Sequence, residues 1–229
     1  MEHKKSGVPI PTDSLIAYYP FSGNANDASG NGKNLVVYGA ALSTGRKSIA
    51  NSCYNFDGLN DYMVSPYQWI PVTANQYSLS FWYKFNIGIE ASDFMVLVYP
   101  FNSTLSTGGG FTYIYNQSGI YKLLSPVYYS DNTIIYSYEA TIEPNVWYYT
   151  TMTYIRNSID GIKTYLNGTL LGSVASSNLN LKAGAPYSNE NAFGRKTDTG
   201  SKYYKGYLQD FRFYSRALTQ DEVLALYNE

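Results

Sequence analysis

The chain has 229 residues and a formal net charge of −1, which supplies no positive field for nucleic acid or an anionic membrane surface. No apolar run approaches the roughly 20 residues a membrane-spanning helix needs, so neither nucleic-acid binding nor membrane insertion is expected. Cys53 is the only cysteine, which excludes an intrachain disulfide, and His3 is the only histidine, which excludes histidine-based catalysis or zinc binding in the body of the chain.

In chain order, residues 1–13 read as a leader or linker. Pro9 and Pro11 keep it extended, it has nothing to bury, and its opening residues are too polar for a secretory signal. Residues 14–229 read as one domain. Residues 15–21 form a first strand, and residues 24–32 form a loop of Asn, Asp, Ser and Gly, which bond their own backbone and tolerate left-handed geometry. A short strand follows over 34–38. Tyr54 and Phe56, then Tyr62 and Val64, alternate about Asp57 and Gly58, which reads as a hairpin. Residues 78–85 are the cleanest strand: Leu79, Phe81, Tyr83 and Phe85 share one face, Ser80, Trp82 and Lys84 the other.

Further strands are expected over 93–99, 111–115, 121–129, 133–141 and 147–154, with a flexible loop over 102–110. Asn167 and Gly168 predict a type I′ turn between strands 163–166 and 169–171. Residues 173–204 read mostly as loop. Near the end, Phe211 and Phe213 fall on one strand face and Arg212 and Tyr214 on the other. Leu208 is out of phase with them, which predicts a bulge at Gln209–Asp210. Thr219 and Glu222 make a capping box for a helix over 220–227, with Leu218 and Val223 at the staple positions. Many short strands, frequent turns and one late helix predict an all-β fold, an antiparallel jelly-roll β-sandwich of two sheets with a short C-terminal helix. The 26 tyrosines suit such sheets, since Tyr covers a pleated surface while its hydroxyl stays wet.

Gly206, Asp210, the Phe211–Phe213 pair, Tyr214, Arg216, Ala217, Leu218 and the terminal helix resemble the closing motif of laminin-G-like domains of the concanavalin A-like superfamily. The resemblance continues in residues 15–21, 24–32 and 54–62, and in Trp147, Tyr165, Asn167 and Gly168, almost from end to end in the family's order. It implies the jelly roll, pairing of the first strand with the last, and adjacent termini.

Catalysis is not expected. Glycosidases place two acids about the scissile bond, whereas Glu90, Glu139, Glu143 and Glu190 are scattered and no strand carries an alternating acidic pair. Calcium is the expected cofactor, since it takes six to eight oxygens from carboxylates, amides and carbonyls and loop 24–32 is rich in these. The resemblance points to Asp27 and Asp210 as ligands, with Asp61 a third choice. The other reading makes Asp27 an Asx turn and Asp210 a carboxylate paired with Arg212, Arg216 or backbone amides.

Sugar rings stack on aromatic side chains while amides meet their hydroxyls. Tyr67 and Trp69, beside Gln68 and between Pro66 and Pro71, form one such cluster. Tyr128 and Tyr129, before Ser130, Asp131 and Asn132, form another. The function read from the sequence is therefore a non-catalytic, lectin-like or adhesive domain of a surface, secreted or virion protein, with a glycan or glycoprotein as partner. The alternative is a structural module that binds other protein subunits through tyrosine-rich faces. Asn102, Asn116 and Asn167 are acceptors for N-glycans on a glycosylating route.

Overall fold

A computed structural model describes residues 7–67, 69–91, 93–99, 111–182, 191–196 and 202–229. His3, Gln68, Asn102, Glu190 and the expected loop over 102–110 lie outside them. Two antiparallel sheets enclose one core. The first runs, in spatial order, Thr169–Val174, Ile162–Leu166, Tyr148–Ile155, Gln76–Phe85, Lys205–Tyr214, Cys53–Asp57 and Ala41–Ser43, with Leu15–Tyr19 also on Lys205–Tyr214. The second runs Ala140–Ile142, Ile120–Leu124, Thr112–Gln117, Phe94–Tyr99, Asn191–Phe193, Tyr62–Ser65 and Val36–Tyr38. Val127–Tyr128 and Ile134–Ile135 form a small separate ribbon.

The Lys205–Tyr214 strand is central. One edge pairs with Gln76–Phe85; the other pairs first with Cys53–Asp57 and then with Leu15–Tyr19. The change of partner falls at the expected bulge, where register shifts between Gln209 and Arg212 and Asp210 takes φ +58°. Phe211 and Phe213 consequently enter the main core, where Phe211 meets Phe193 edge-on at 4.7 Å. Tyr214 turns to the opposite face and joins Trp82, Tyr149, Leu218, Val223 and Leu226 in a second apolar cluster. That cluster is the underside of the Gln220–Tyr227 helix, whose capping box is complete at Thr219 and Glu222. Asn167 at φ +50° and Gly168 at φ +78° form the expected left-handed turn.

Three expectations are corrected. Residues 54–64 are not a hairpin: Cys53–Asp57 pairs within the first sheet and Tyr62–Ser65 within the second. Alternation shows that each strand has two faces, but not which neighbour it takes. The expected strand over 133–141 is broken, because Ile134–Ile135 pairs with Val127–Tyr128 while Ala140–Ile142 pairs with Ile120–Leu124. The leader does bury surface. Pro11 is buried, its carbonyl accepts the Tyr214 hydroxyl at 3.0 Å, and Arg216 grips Asp13 with bonds of 2.7 and 2.8 Å.

Candidate functional site

Each of the three acids chosen for calcium has a partner within the protein. Asp27 Oδ1 accepts the N–H groups of Tyr18 and Ser29, and Oδ2 that of Lys33, all at 2.9 Å. Loop 24–32 is thereby stitched to the first strand by backbone amides. Burial alone would raise the Asp27 pKa, but these amides bring it below the ordinary 3.8. Asp210 lies 3.3 Å from the Arg212 guanidinium; burial raises its pKa and Arg212 opposes the rise. Asp61 Oδ2 accepts the Asp57 N–H at 2.9 Å across the connection between the sheets. Among the described residues no group of three or more His, Cys, Asp or Glu side chains could hold a metal ion. The contacts of Asp27 match the Asx-turn reading and those of Asp210 the ion-pair reading.

This gives a first expected result. Asp27→Ala removes three charge-assisted bonds, each worth about 1.5–3 kcal/mol, so Tm should drop by several degrees equally in calcium and in EDTA. A drop seen only in the presence of calcium would restore the metal reading. Because the folded pKa is lowered, the Asp27 contribution is present above its ordinary 3.8 and lost as pH falls through the folded value.

The four aromatic candidates separate by burial. Tyr129 is fully buried, its hydroxyl accepting the Ser177 N–H at 3.0 Å; it is a core residue and is withdrawn as a stacking residue. Trp69 is also buried, ringed by Phe193, Phe211 and Phe213, and its ring faces meet protein. Proline-flanked aromatics read as loop in the sequence, but the segment between the sheets folds inward here. Tyr67 stays 39% exposed, with the Lys33 ammonium 5.5 Å from its ring centre. Tyr128 is half-buried and stacks on Phe111 at 5.6 Å, beside Tyr113 and Phe94 on the second sheet.

Trp69 nevertheless helps to line a cleft of about 420 Å³ at the end of the sandwich, where the chain crosses from the second sheet to the first. Ile16, Trp69, Tyr77 and Phe213 form its apolar walls, and Asn75, Gln76 and Ser215 supply polar groups. No carboxylate lines it among the described residues. The cleft falls within the range of small-molecule sites, mostly apolar with a few convergent polar groups. Sequence reading found Trp69 but missed the polar side, because Asn75 and Gln76 lie at the start of one strand and Ser215 just past the end of another far along the chain. Two of the sequons are occupied by the fold. Asn116 Nδ2 donates to the Ile89 carbonyl at 2.8 Å, and Asn167 Oδ1 accepts the Tyr149 N–H at 2.9 Å.

A laminin-G family model, described as the concanavalin A-like lectin/glucanases superfamily, matches residues 56–224. The chain belongs to that superfamily. Human adhesion G-protein coupled receptor D1 is 34% identical over 98 residues, which are 42% of this chain and 11% of the receptor. Domain 4 of AbnA, a GH43 extracellular arabinanase from Geobacillus stearothermophilus, solved in complex with arabinotriose, superposes with TM-score 0.64 at 18% identity, over 93% of this chain and 97% of that one. The binding domain of Botulinum Neurotoxin DC, solved in complex with SialylT, gives 0.70 at 18% identity, over 95% of this chain and 52% of that one. This chain thus spans about half of the toxin domain and a small part of the receptor. The two structural likenesses speak to the concanavalin A-like fold. No helix among the described residues is long and apolar enough to cross a membrane.

Proposed function

We propose that this chain is a non-catalytic carbohydrate-recognition domain of a surface or secreted protein, and that it holds a neutral sugar unit in the sandwich-end cleft. The observation that carries this reading is the cleft's make-up: aromatic and aliphatic walls, amide and hydroxyl groups, and no carboxylate among its described lining residues. Such a lining suits a sugar's apolar C–H face and its hydroxyls, and offers no acid–base pair for cleavage. The arabinotriose-bound domain, matched over nearly its whole length, supports a sugar as ligand. Its parent enzyme does not make this domain hydrolytic, since fold and function are separable.

A shallow site holding one or two rings gains modest energy. Affinity should therefore be micromolar to millimolar, about 4–8 kcal/mol, with useful avidity only when copies are displayed together. The test is a glycan array probed with multimerised protein, repeated with Asn75→Ala. Asn75 is exposed, so the variant should keep its melting temperature while binding to the hits is lost. A blank array alongside self-association or capture of a purified protein partner would favour the subunit-binding reading, for which exposed Tyr136 and Tyr138 offer a surface.

A further inference from the structure

The outer face of the first sheet carries an arrangement that shares no residue with the cleft. Strand register sets Asn55, Tyr207 and Lys84 side by side on three neighbouring strands. Trp147 stands next in the row, immediately before Tyr148, which pairs with Tyr83. The flanking residues Tyr54, Leu208 and Tyr83 point into the core, so the row of four points outward. All four are half-buried, neither sealed nor fully in water.

The Lys84 ammonium lies 4.3 Å from the Tyr207 ring centre and 5.3 Å from that of Trp147, and the two rings are 6.1 Å apart. No carboxylate among the described residues pairs with Lys84. One row along, Asp57 faces Lys205, and its Oδ1 already accepts the N–H groups of Leu59 and Asn60. On the other side, Gln209 accepts the Arg46 N–H at 3.0 Å, and Arg46 lies over Trp82. The row therefore presents a cation held between two aromatic rings, an amide at its end, and no acid of its own.

We propose that this row binds an acidic sugar, a pyranose bearing a carboxylate of the uronic acid type. The carboxylate pairs with the Lys84 ammonium, the C–H face of the ring lies against Trp147 and Tyr207, and Asn55 meets a hydroxyl. The rings hold the lysine stem in place, so less side-chain freedom is lost on binding. A hydrogen bond between two charged groups beside apolar surface is stronger than one in open water. A bare anion would gain from Lys84 but not from the rings, and a neutral sugar would gain from the rings but not from Lys84. Only a ligand with both parts uses the whole row.

The probes are hexasaccharides of hyaluronan and of polygalacturonate, each compared with the same oligosaccharide after its carboxyls are reduced to alcohols, and measured by calorimetry on the full chain. At least one acidic form should bind, its reduced form about ten-fold more weakly, and added salt should narrow the gap. Lys84→Met keeps the stem and the melting temperature but should abolish the preference for the acid, and Lys84→Arg should restore most of it. Asn75→Ala should change nothing here, so this site and the cleft stand or fall separately. Equal binding of acid and reduced forms, a preference that survives in Lys84→Met, or no binding of either acid would overturn the proposal.

Discussion

Arg212→Met should destabilise the domain by about 3–5 kcal/mol, the usual consequence of removing one partner from a buried ion pair. Arg212 is only 2% exposed and lies 4.1 Å over the Tyr18 ring. It faces Asp210 at 3.3 Å and Glu229 at 2.6 Å, and so links the bulge to the end of the helix. Without it, Asp210 keeps the burial that raises its pKa and loses the main influence opposing that rise. A raised folded pKa means the native state holds its proton more tightly than the unfolded chain does. The deficit of Arg212→Met should therefore grow as pH rises through the folded pKa of Asp210, and shrink toward pH 3.8 and below. Adding Asp210→Asn should recover part of the loss at neutral pH. Urea unfolding of the two variants across pH checks this; a single variant with a wild-type midpoint, or a pH-independent deficit, would contradict it.

Gly206→Ala should be of similar size, for a steric reason. Gly206 is flanked by Phe56 on one side and Phe85 on the other, at φ +150°. A Cβ there would fall 2.3 Å from the Lys84 carbonyl oxygen and 2.8 Å from Phe85 Cα, both backbone atoms of the central strand pair. Backbone strain and overpacking of this kind together destabilise by about 3–5 kcal/mol, which in a domain of this size lowers Tm by roughly 10 °C. Gly32→Ala is the control. Its φ is +69° but nothing lies within 4 Å of the added atom, so only the backbone penalty of about 1 kcal/mol remains. Equal melting temperatures for the two variants would show that the strand contact is not what confines Gly206.

The central strand and the helix were legible because local signals agree there. The phase break at Leu208 marks the bulge, and Thr219 with Glu222 marks the helix start. The partners of Cys53–Asp57 and Tyr62–Ser65 were not legible, since period-two alternation is the same whether two strands pair with each other or lie in opposite sheets. The composition of loop 24–32 is ambiguous for a related reason. A loop rich in Asn, Asp and Gly can aim its oxygens at a cation or at its own amides, and Asp27 does the latter. Trp69 was recognised as notable, but only packing shows that its faces meet Phe193 and Phe211 while it helps line a cleft. The Lys84 row had one local trace, the shared strand face of Ser80, Trp82 and Lys84. Asn55, Trp147 and Tyr207 reach it only through register.

Sugar recognition in the sandwich-end cleft is tested most directly by titrating isotopically labelled protein with a neutral array hit and following its amide and indole NMR signals. The Trp69 indole and the backbone amides of Asn75, Gln76 and Ser215 should shift saturably, at micromolar to millimolar affinity, with the glycan recovered intact. Shifts confined to the Tyr128 face or the Lys84 row, or cleavage of the glycan during the titration, would contradict the account.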